Sequence, residues 1–510
     1  MELKLATTDL AAVDTDLLVI GLYESPAGLT GIGSDIDGLT DGLLRKHLNH
    51  FEFEAKALET LVLHSPVGLR AKHLLIIGLG KSQKFTPIVA RQVSAQSSLE
   101  AHKLKCRSLS TLIHGTDLDS IDQSAVTQAV AEGLLLGDYQ FTKFKTQNKE
   151  KQAILNHVEL LVIDPKMTDH AICAKAIDKA QAIARPIMAI RDLVNEPPSH
   201  LKPISLVEYA SGLAKRSDLV NLTVLDKEQL KKQSYEALLA VASGSDEPPY
   251  LIDLHYRPKN ASQSVVLVGK GVTFDSGGLG IKPWSAMLSM KTDMAGAGTV
   301  LGIIQALIEL EALGQSLPIE VHAVIPTTEN MISGKAMRPD DIIETKSGKT
   351  IEILHTDAEG RLILSDGLTY GTLLEPDYMI DFATLTGSAI KALGRSYAAF
   401  MGNDRKLLDI IGVASRSTGE LAWELPLPEE YKKQLESPVA DLQNISTNEY
   451  SPGAIIGGLF LQEFVNEIPW AHIDIAGPSF IEEVTNPVYP KGATGYGILL
   501  SLEILKQLKR

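Results

Sequence analysis

Val265-Val266-Leu267-Val268-Gly269-Lys270-Gly271-Val272-Thr273-Phe274-Asp275-Ser276-Gly277-Gly278 decides the fold of this 510-residue chain. Its first four residues are apolar and mostly β-branched, with no polar alternation. That pattern predicts a strand buried on both faces, central in a parallel sheet. The strand delivers Lys270 to its carboxyl end, where glycines let the backbone turn sharply and approach a ligand closely. In open α/β sheets, sites form outside the carboxyl ends of strands. A lysine and an acid crowded there point to a site rather than to packing.

A second unusual segment, His355-Thr356-Asp357-Ala358-Glu359-Gly360-Arg361-Leu362, follows a strand-like run at 351–354. If the backbone stays extended, Asp357, Glu359 and Arg361 project from one face. Neighbouring carboxylates are unfavourable unless a cation neutralises them, and clusters of oxygen ligands suit divalent metals. A guanidinium beside them can hold an anion in two-point geometry. Taken alone, the segment reads as a solvated acidic turn. Beside the first segment, it reads as half of a metal site.

Together with Met290-Lys291-Thr292-Asp293-Met294-Ala295-Gly296-Ala297, these blocks resemble the signature motifs of the leucyl aminopeptidase family, the M17 metallopeptidases with two metal ions. Further matches are Arg191-Asp192-Leu193-Val194-Asn195, Ala383-Thr384-Leu385-Thr386-Gly387, Trp470-Ala471-His472-Ile473-Asp474-Ile475-Ala476-Gly477 and Gly492-Ala493-Thr494-Gly495-Tyr496-Gly497. They run in the family's order from about residue 190 to about 500. One departure is His355, where the family usually has Asn; an imidazole there can alter loop geometry or metal preference.

The resemblance implies five metal ligands: Lys270, Asp275, Asp293, Asp357 and Glu359. Asp275 and Glu359 would bridge two divalent ions, Mn²⁺ or Zn²⁺, with Mg²⁺ or Co²⁺ as alternatives. Lys270 and Asp293 would serve the tighter position and Asp357 the more exchangeable one. Without the resemblance, Lys270 reads as an ion-pair partner. As a ligand it must be a neutral amine, far from its reference pKa of about 10.4. Lys282 matches the residue that polarises the substrate carbonyl, and Arg361 the residue that holds a bicarbonate-like proton shuttle. For both cations the plain alternative is a salt bridge to the acids. Met290, Thr384, Leu385, Gly387 and Ala476 match a pocket for the substrate's first side chain, suited to leucine or methionine; Met290 and Leu385 otherwise read as core. The implied activity is removal of amino-terminal residues from short peptides, by a homohexamer in the cytoplasm.

Composition is compatible with that reading. The chain carries 63 acids against 48 bases, a net charge of −15, which disfavours nonspecific attraction to nucleic acid. A DNA-binding role of the amino-terminal region is the rival class. Cys106 and Cys173 cannot make a disulfide framework and lack metal-ligand spacing. Neither a signal peptide nor a run approaching a membrane span is evident.

The expected architecture is α/β in two domains. A smaller α/β domain, 1–167, has an assembly or regulatory role, with strands at 17–22, 74–77, 109–113 and 158–163 and helices at 87–104 and 125–136. Asp164-Pro165 ends its last strand. A linker helix, 168–197, stops at Asn195-Glu196-Pro197-Pro198. The larger catalytic domain, 198–510, alternates strands and helices, predicting a mostly parallel central sheet flanked by helices. His472, within a buried-looking strand, reads as a core residue rather than a ligand.

Overall fold

The computed structural model describes residues 1–25, 29–147, 155–163 and 168–508. The chain divides into two compact units, Met1–Arg185 with Glu483–Pro490, and Pro186–Glu482 with Lys491–Arg510. The division falls within one helix, His170–Asn195, just before Pro186. The strand end expected at Asp164-Pro165 lies outside the described residues.

The first unit holds a six-stranded sheet built from β1 (Glu2–Thr7), β2 (Leu17–Tyr23), β3 (Thr60–His64), β4 (His73–Gly80), β5 (Ser108–Leu112) and β6 (His157–Val162), in the order β1-β6-β5-β2-β4-β3. All neighbours are parallel except β3 and β4. The four expected strands are the central ones, whose apolar runs are buried. The two edge strands were not anticipated. Glu2 and Lys4 alternate with apolar residues along β1, the charged character that protects sheet edges.

After β5 comes His114, 4% exposed, its Nε2 at 3.2 Å from Thr111 Oγ1. Burial lowers its pKa to about 4, whereas the unfolded chain titrates near the ordinary value of about 6.5. Between those values only the unfolded state takes up the proton, so stability is complete above about pH 6.5 and is lost as pH falls towards 4. The full difference is about 3 kcal/mol. We expect His114→Gln to flatten the pH dependence of thermal unfolding in this interval; an unchanged slope would refute the assignment.

The second unit is organised by β7 (Val220–Leu225), β8 (Tyr250–Tyr256), β9 (Gln263–Gly269), β10 (Gly271–Asp275) and β11 (Ile319–Asn330). Further along come β12 (Ile342–Glu344), β13 (Thr350–Glu352), β14 (Tyr378–Ala383), β15 (Ala398–Gly402), β16 (Ala422–Glu424), β17 (Leu442–Gln443) and β18 (Trp470–Asp474). The main sheet runs β16-β15-β18-β14-β9-β11-β8-β7, with β10 also paired to β11. Its centre, β18-β14-β9-β11, is parallel, and the antiparallel pairs lie towards its two edges. Val265, Val266, Leu267 and Val268 are all fully buried, as the continuous apolar run requires. Each such side chain contributes about 1.5–3 kcal/mol. Helices Ala295–Ala312 and Glu359–Thr372 pack on β9, β11 and β14.

One expectation is corrected. The run at 350–354 is not part of this sheet: β13 is only three residues long and joins β12 and β17 in a separate small sheet. Residues 284–312 are long and apolar enough by composition to cross a membrane, but 94% of the apolar window is buried inside the protein. Its apolarity therefore serves the core.

Candidate active site

Six side chains converge where β9 and β10 end. Lys270 follows β9, its N–H donating to Phe382 O at 3.0 Å and its carbonyl accepting from Ala297 N at 2.9 Å. The backbone of the central sheet thus fixes where its side chain starts. That side chain is 3% exposed, with Nζ 2.7 Å from Asp293 Oδ1 and 2.8 Å from Glu359 Oε1. Lys282 Nζ lies 2.7 Å from Asp275 Oδ2 and 2.5 Å from Asp357 Oδ1. Asp275 Oδ1 also accepts from Gly277 N and Asn330 Nδ2, each at 2.8 Å. Gly277 has φ +86°, which lets its N–H turn back onto that carboxylate.

The segment around Asp357 departs from the extended geometry read from the sequence. Asp357 precedes a helix that starts at Glu359, so Glu359 and Arg361 leave different faces. A carboxylate in the first turn suits the helix dipole, which favours a helix start at Glu359. Glu359 turns to Lys270, whereas Arg361 Nη1 donates to Asn444 O at 2.7 Å and its guanidinium sits 5.9 Å from the Phe460 ring centre. Arg361 Nε is buried with no hydrogen-bond partner among the described residues. Burial lowers the pKa of this guanidinium to about 10. It therefore remains a cation with donor capacity to spare.

Charge in the cluster is unbalanced. Asp275, Asp293, Asp357 and Glu359 face only two ammonium groups, Lys270 and Lys282, so carboxylates are in excess. Burial opposes charge on both lysines, but the surrounding acids outweigh it and raise both pKa values. The opposite strain falls on the acids. Burial, then repulsion from Asp275 and Glu359, lifts Asp357 to about 7 despite Lys282, and burial raises Asp293 well above the carboxylate range.

Two features test whether these residues suit divalent metal ions. Oxygens of Asp275, Asp357 and Glu359 lie within 4.8 Å of one another. Asp293 Oδ2 is buried with no hydrogen-bond partner among the described residues, and Asp357 Oδ1 meets the Lys282 ammonium at 2.5 Å. Buried oxygens left unpaired are costly, and a cation bound among them removes that cost. The donor set fits.

Gly360 makes this packing feasible. A Cβ there would stand 2.6 Å from Lys270 Cε and 2.7 Å from its Nζ. Lysine tips usually yield, but this one is enclosed and held by two carboxylates. We expect Gly360→Ala to cost about 1–3 kcal/mol in thermal unfolding, by overpacking, and to displace Lys270 with loss of peptide hydrolysis. Wild-type stability and turnover together would contradict this.

Residues predicted to line a substrate pocket divide into groups. Thr384 joins the cluster directly: its Oγ1 donates to Asp293 Oδ1 at 2.7 Å and its carbonyl accepts from Lys270 Nζ at 3.2 Å. Leu385 and Ala476 meet through Asp474 Oδ1, which accepts from their backbone N–H groups at 3.2 and 3.1 Å. Met290 is half-buried and its carbonyl accepts from Asp293 N. Gly387 is exposed, with no heavy atom within 4 Å of an added Cβ.

His355 turns its ring to the backbone. Nδ1 accepts from Asp357 N at 3.1 Å, as an Asn side chain at this position would in an Asx turn. His472 is fully buried, Nδ1 2.6 Å from Asp381 Oδ1, while its Nε2 has no hydrogen-bond partner among the described residues. Sequence reasoning passed over Asn330, Thr356 and Asn444. Thr356 Oγ1 donates to Gly277 O at 2.6 Å and accepts from Gly280 N at 2.7 Å, joining the two acidic loops. Asn444 Oδ1 accepts from Leu354 N at 2.8 Å, and its Nδ2 donates to His355 O at 2.7 Å. Such scattered amides and hydroxyls carry no spacing signal.

Comparison with known proteins places these motifs. Residues 188–501 match the model of the cytosol aminopeptidase family, catalytic domain, and residues 19–148 match that of its N-terminal domain. A probable cytosol aminopeptidase of Sulfurihydrogenibium sp. (strain YO3AOP1) is 40% identical, covering 100% of this chain and 99% of its own. Another, from Azotobacter vinelandii, is 39% identical over 99% of both chains. Among solved structures, a tomato leucine aminopeptidase mutant is similar with TM-score 0.87 and 32% identity, over 99% of this chain and 96% of its own. The bottromycin maturation enzyme BotP in complex with Mn is similar with TM-score 0.84 and 32% identity, over 97% of this chain and 100% of its own.

Proposed function

Because this chain belongs to the cytosol aminopeptidase family, we propose that it releases leucine and similar apolar residues from the amino termini of short peptides. Lys270, Asp275, Asp293, Asp357 and Glu359 would hold a pair of divalent metal ions, Mn²⁺ or Zn²⁺. The observation that carries this reading is the excess of carboxylates in the cluster, one of whose buried oxygens, Asp293 Oδ2, has no hydrogen-bond partner among the described residues. When bound, the metal pair supplies Lewis-acid polarisation and an activated water at neutral pH.

The remaining chemistry belongs to the protein. Lys282 stays protonated beside Asp275 and Asp357, so it can donate a hydrogen bond to the oxyanion that forms at the attacked carbonyl. Arg361 offers a buried, unpartnered N–H to an anion of the bicarbonate type, which can relay a proton to the leaving amine. Met290, Thr384, Leu385, Gly387 and Ala476 receive the first side chain. The assembly we read is a homohexamer, and Leu279, Ile281, Trp284 and Leu288, apolar and exposed in the segment that carries Lys282, offer surface that a peptide or a neighbouring subunit can cover. The setting is the cytoplasm.

Tripeptides differing only in their first residue, each with an amino-acetylated copy, test the substrate reading. Leucine and methionine should be released fastest, and acetylated copies should survive. Equal rates for acidic and apolar first residues would overturn the preference, and cleavage of acetylated peptides would overturn recognition of the free amine.

A further inference from the structure

The antiparallel pair of β8 and β11 carries a second group of metal-binding side chains, remote from the first. His255 and His322 are register partners on these strands, so their rings leave the same face of the sheet. Asp253 and Glu320 lie two residues before them on their respective strands and share that face. The imidazoles stack with centres 3.8 Å apart and 10° between planes. His255 Nε2 is 2.5 Å from Glu320 Oε1, and His322 Nε2 is 3.9 Å from the same oxygen.

The surroundings orient these rings as ligands. His322 Nδ1 lies 3.0 Å from Asp253 Oδ1, and Asp253 Oδ2 accepts from the Tyr370 hydroxyl at 3.1 Å. A carboxylate on Nδ1 holds the proton there and leaves the Nε2 lone pair on the side of Glu320. This carboxylate–histidine arrangement commonly supports a metal-bound imidazole. Burial, reinforced by repulsion from His322, lowers the pKa of His255 against the pull of Glu320, which favours its neutral, ligating form. Side-chain exposures of 18% for His255, 22% for Glu320 and 11% for His322 leave an opening to solvent. Arg257 stands 3.8 Å from Glu320 Oε1, but it is 69% exposed and competes weakly.

We propose that His255, Glu320 and His322 form a metal site separate from the catalytic cluster, taking a transition-metal ion of the Zn²⁺ type with an open position for water. Two imidazole nitrogens and one carboxylate oxygen suit zinc and exclude a preference for Mg²⁺ or Ca²⁺. Binding requires the stacked rings to tilt so that their lone pairs converge, and requires Glu320 to withdraw from its short contact with His255. Partial exposure permits both movements. The site lies eight residues before Asn330 on β11, about 26 Å along the strand from the end that meets Asp275. Its effect is therefore on the sheet: a metal there ties the antiparallel β7–β8 extension to the parallel centre.

The test uses tag-free, full-length protein dialysed to equilibrium against Zn²⁺. Metal per subunit is counted by plasma mass spectrometry, and imidazole scattering is measured at the zinc absorption edge. The unmodified protein should hold one equivalent more than His255→Ala and should show an imidazole contribution that the variant lacks. Carboxylates and a lysine make up the catalytic cluster, so its occupancy, full or empty, does not alter this difference. Should His255→Ala fail to fold, Glu320→Gln gives the same count with the fold's apolar contacts intact. Equal zinc content in variant and unmodified protein, or equal imidazole scattering, would overturn the proposal.

Discussion

Glu359→Ala is expected to lower peptide turnover by at least about a thousandfold, corresponding to about 4 kcal/mol of lost transition-state stabilisation. The side chain is 2% exposed, meets Lys270 Nζ at 2.8 Å and lies in the same cluster of oxygens as Asp275 and Asp357. Its removal takes away an anionic ligand and leaves Lys270 held by Asp293 and by the Thr384 carbonyl. Because those contacts remain, the protein should fold, and circular dichroism should match the unmodified protein. Metal content after dialysis should fall in parallel with activity. Glu359→Gln keeps the shape without the charge and should behave alike. Full activity in either variant would remove Glu359 from the machinery.

Lys282→Met is expected to reduce kcat by about 10²–10³-fold, the usual loss on removing one oxyanion donor. Methionine keeps most of lysine's unbranched stem without its charge. Metal binding should persist or strengthen, since Asp275 and Asp357 lose the cation that competes for their oxygens. KM should move little, because the interaction is made chiefly in the transition state. A purely structural salt bridge gives a different pattern, in which thermal stability falls and kcat holds.

How far the sequence discloses this site depends on the kind of contact. Val265–Val268 revealed the central strand because four consecutive buried apolar residues admit few other readings. The acids after it were visible as an electrostatic improbability. The path of the chain between them was not. Asp357, Glu359 and Arg361 fit an extended reading by spacing, yet the helix starting at Glu359 separates their directions. Local periodicity cannot decide this, because β13 ends at Glu352 and no apolar repeat covers the turn that follows. Strands β1 and β3 escaped notice for a related reason, since polar residues interrupt or flank their apolar runs. His255 and His322 stand 67 positions apart in the chain (322 − 255), and only the register of β8 against β11 makes them neighbours.

Metal dependence tests the catalytic account most directly. Protein stripped with chelator is assayed on leucine p-nitroanilide before and after addition of Mn²⁺ or Zn²⁺, beside Asp357→Ala and an amino-acetylated substrate. The expected result is negligible turnover when stripped, recovery with metal, a large loss in the variant at the same metal concentration, and no cleavage of the blocked substrate. Stripped protein as active as the loaded protein, or turnover restored by neither metal, would contradict the account.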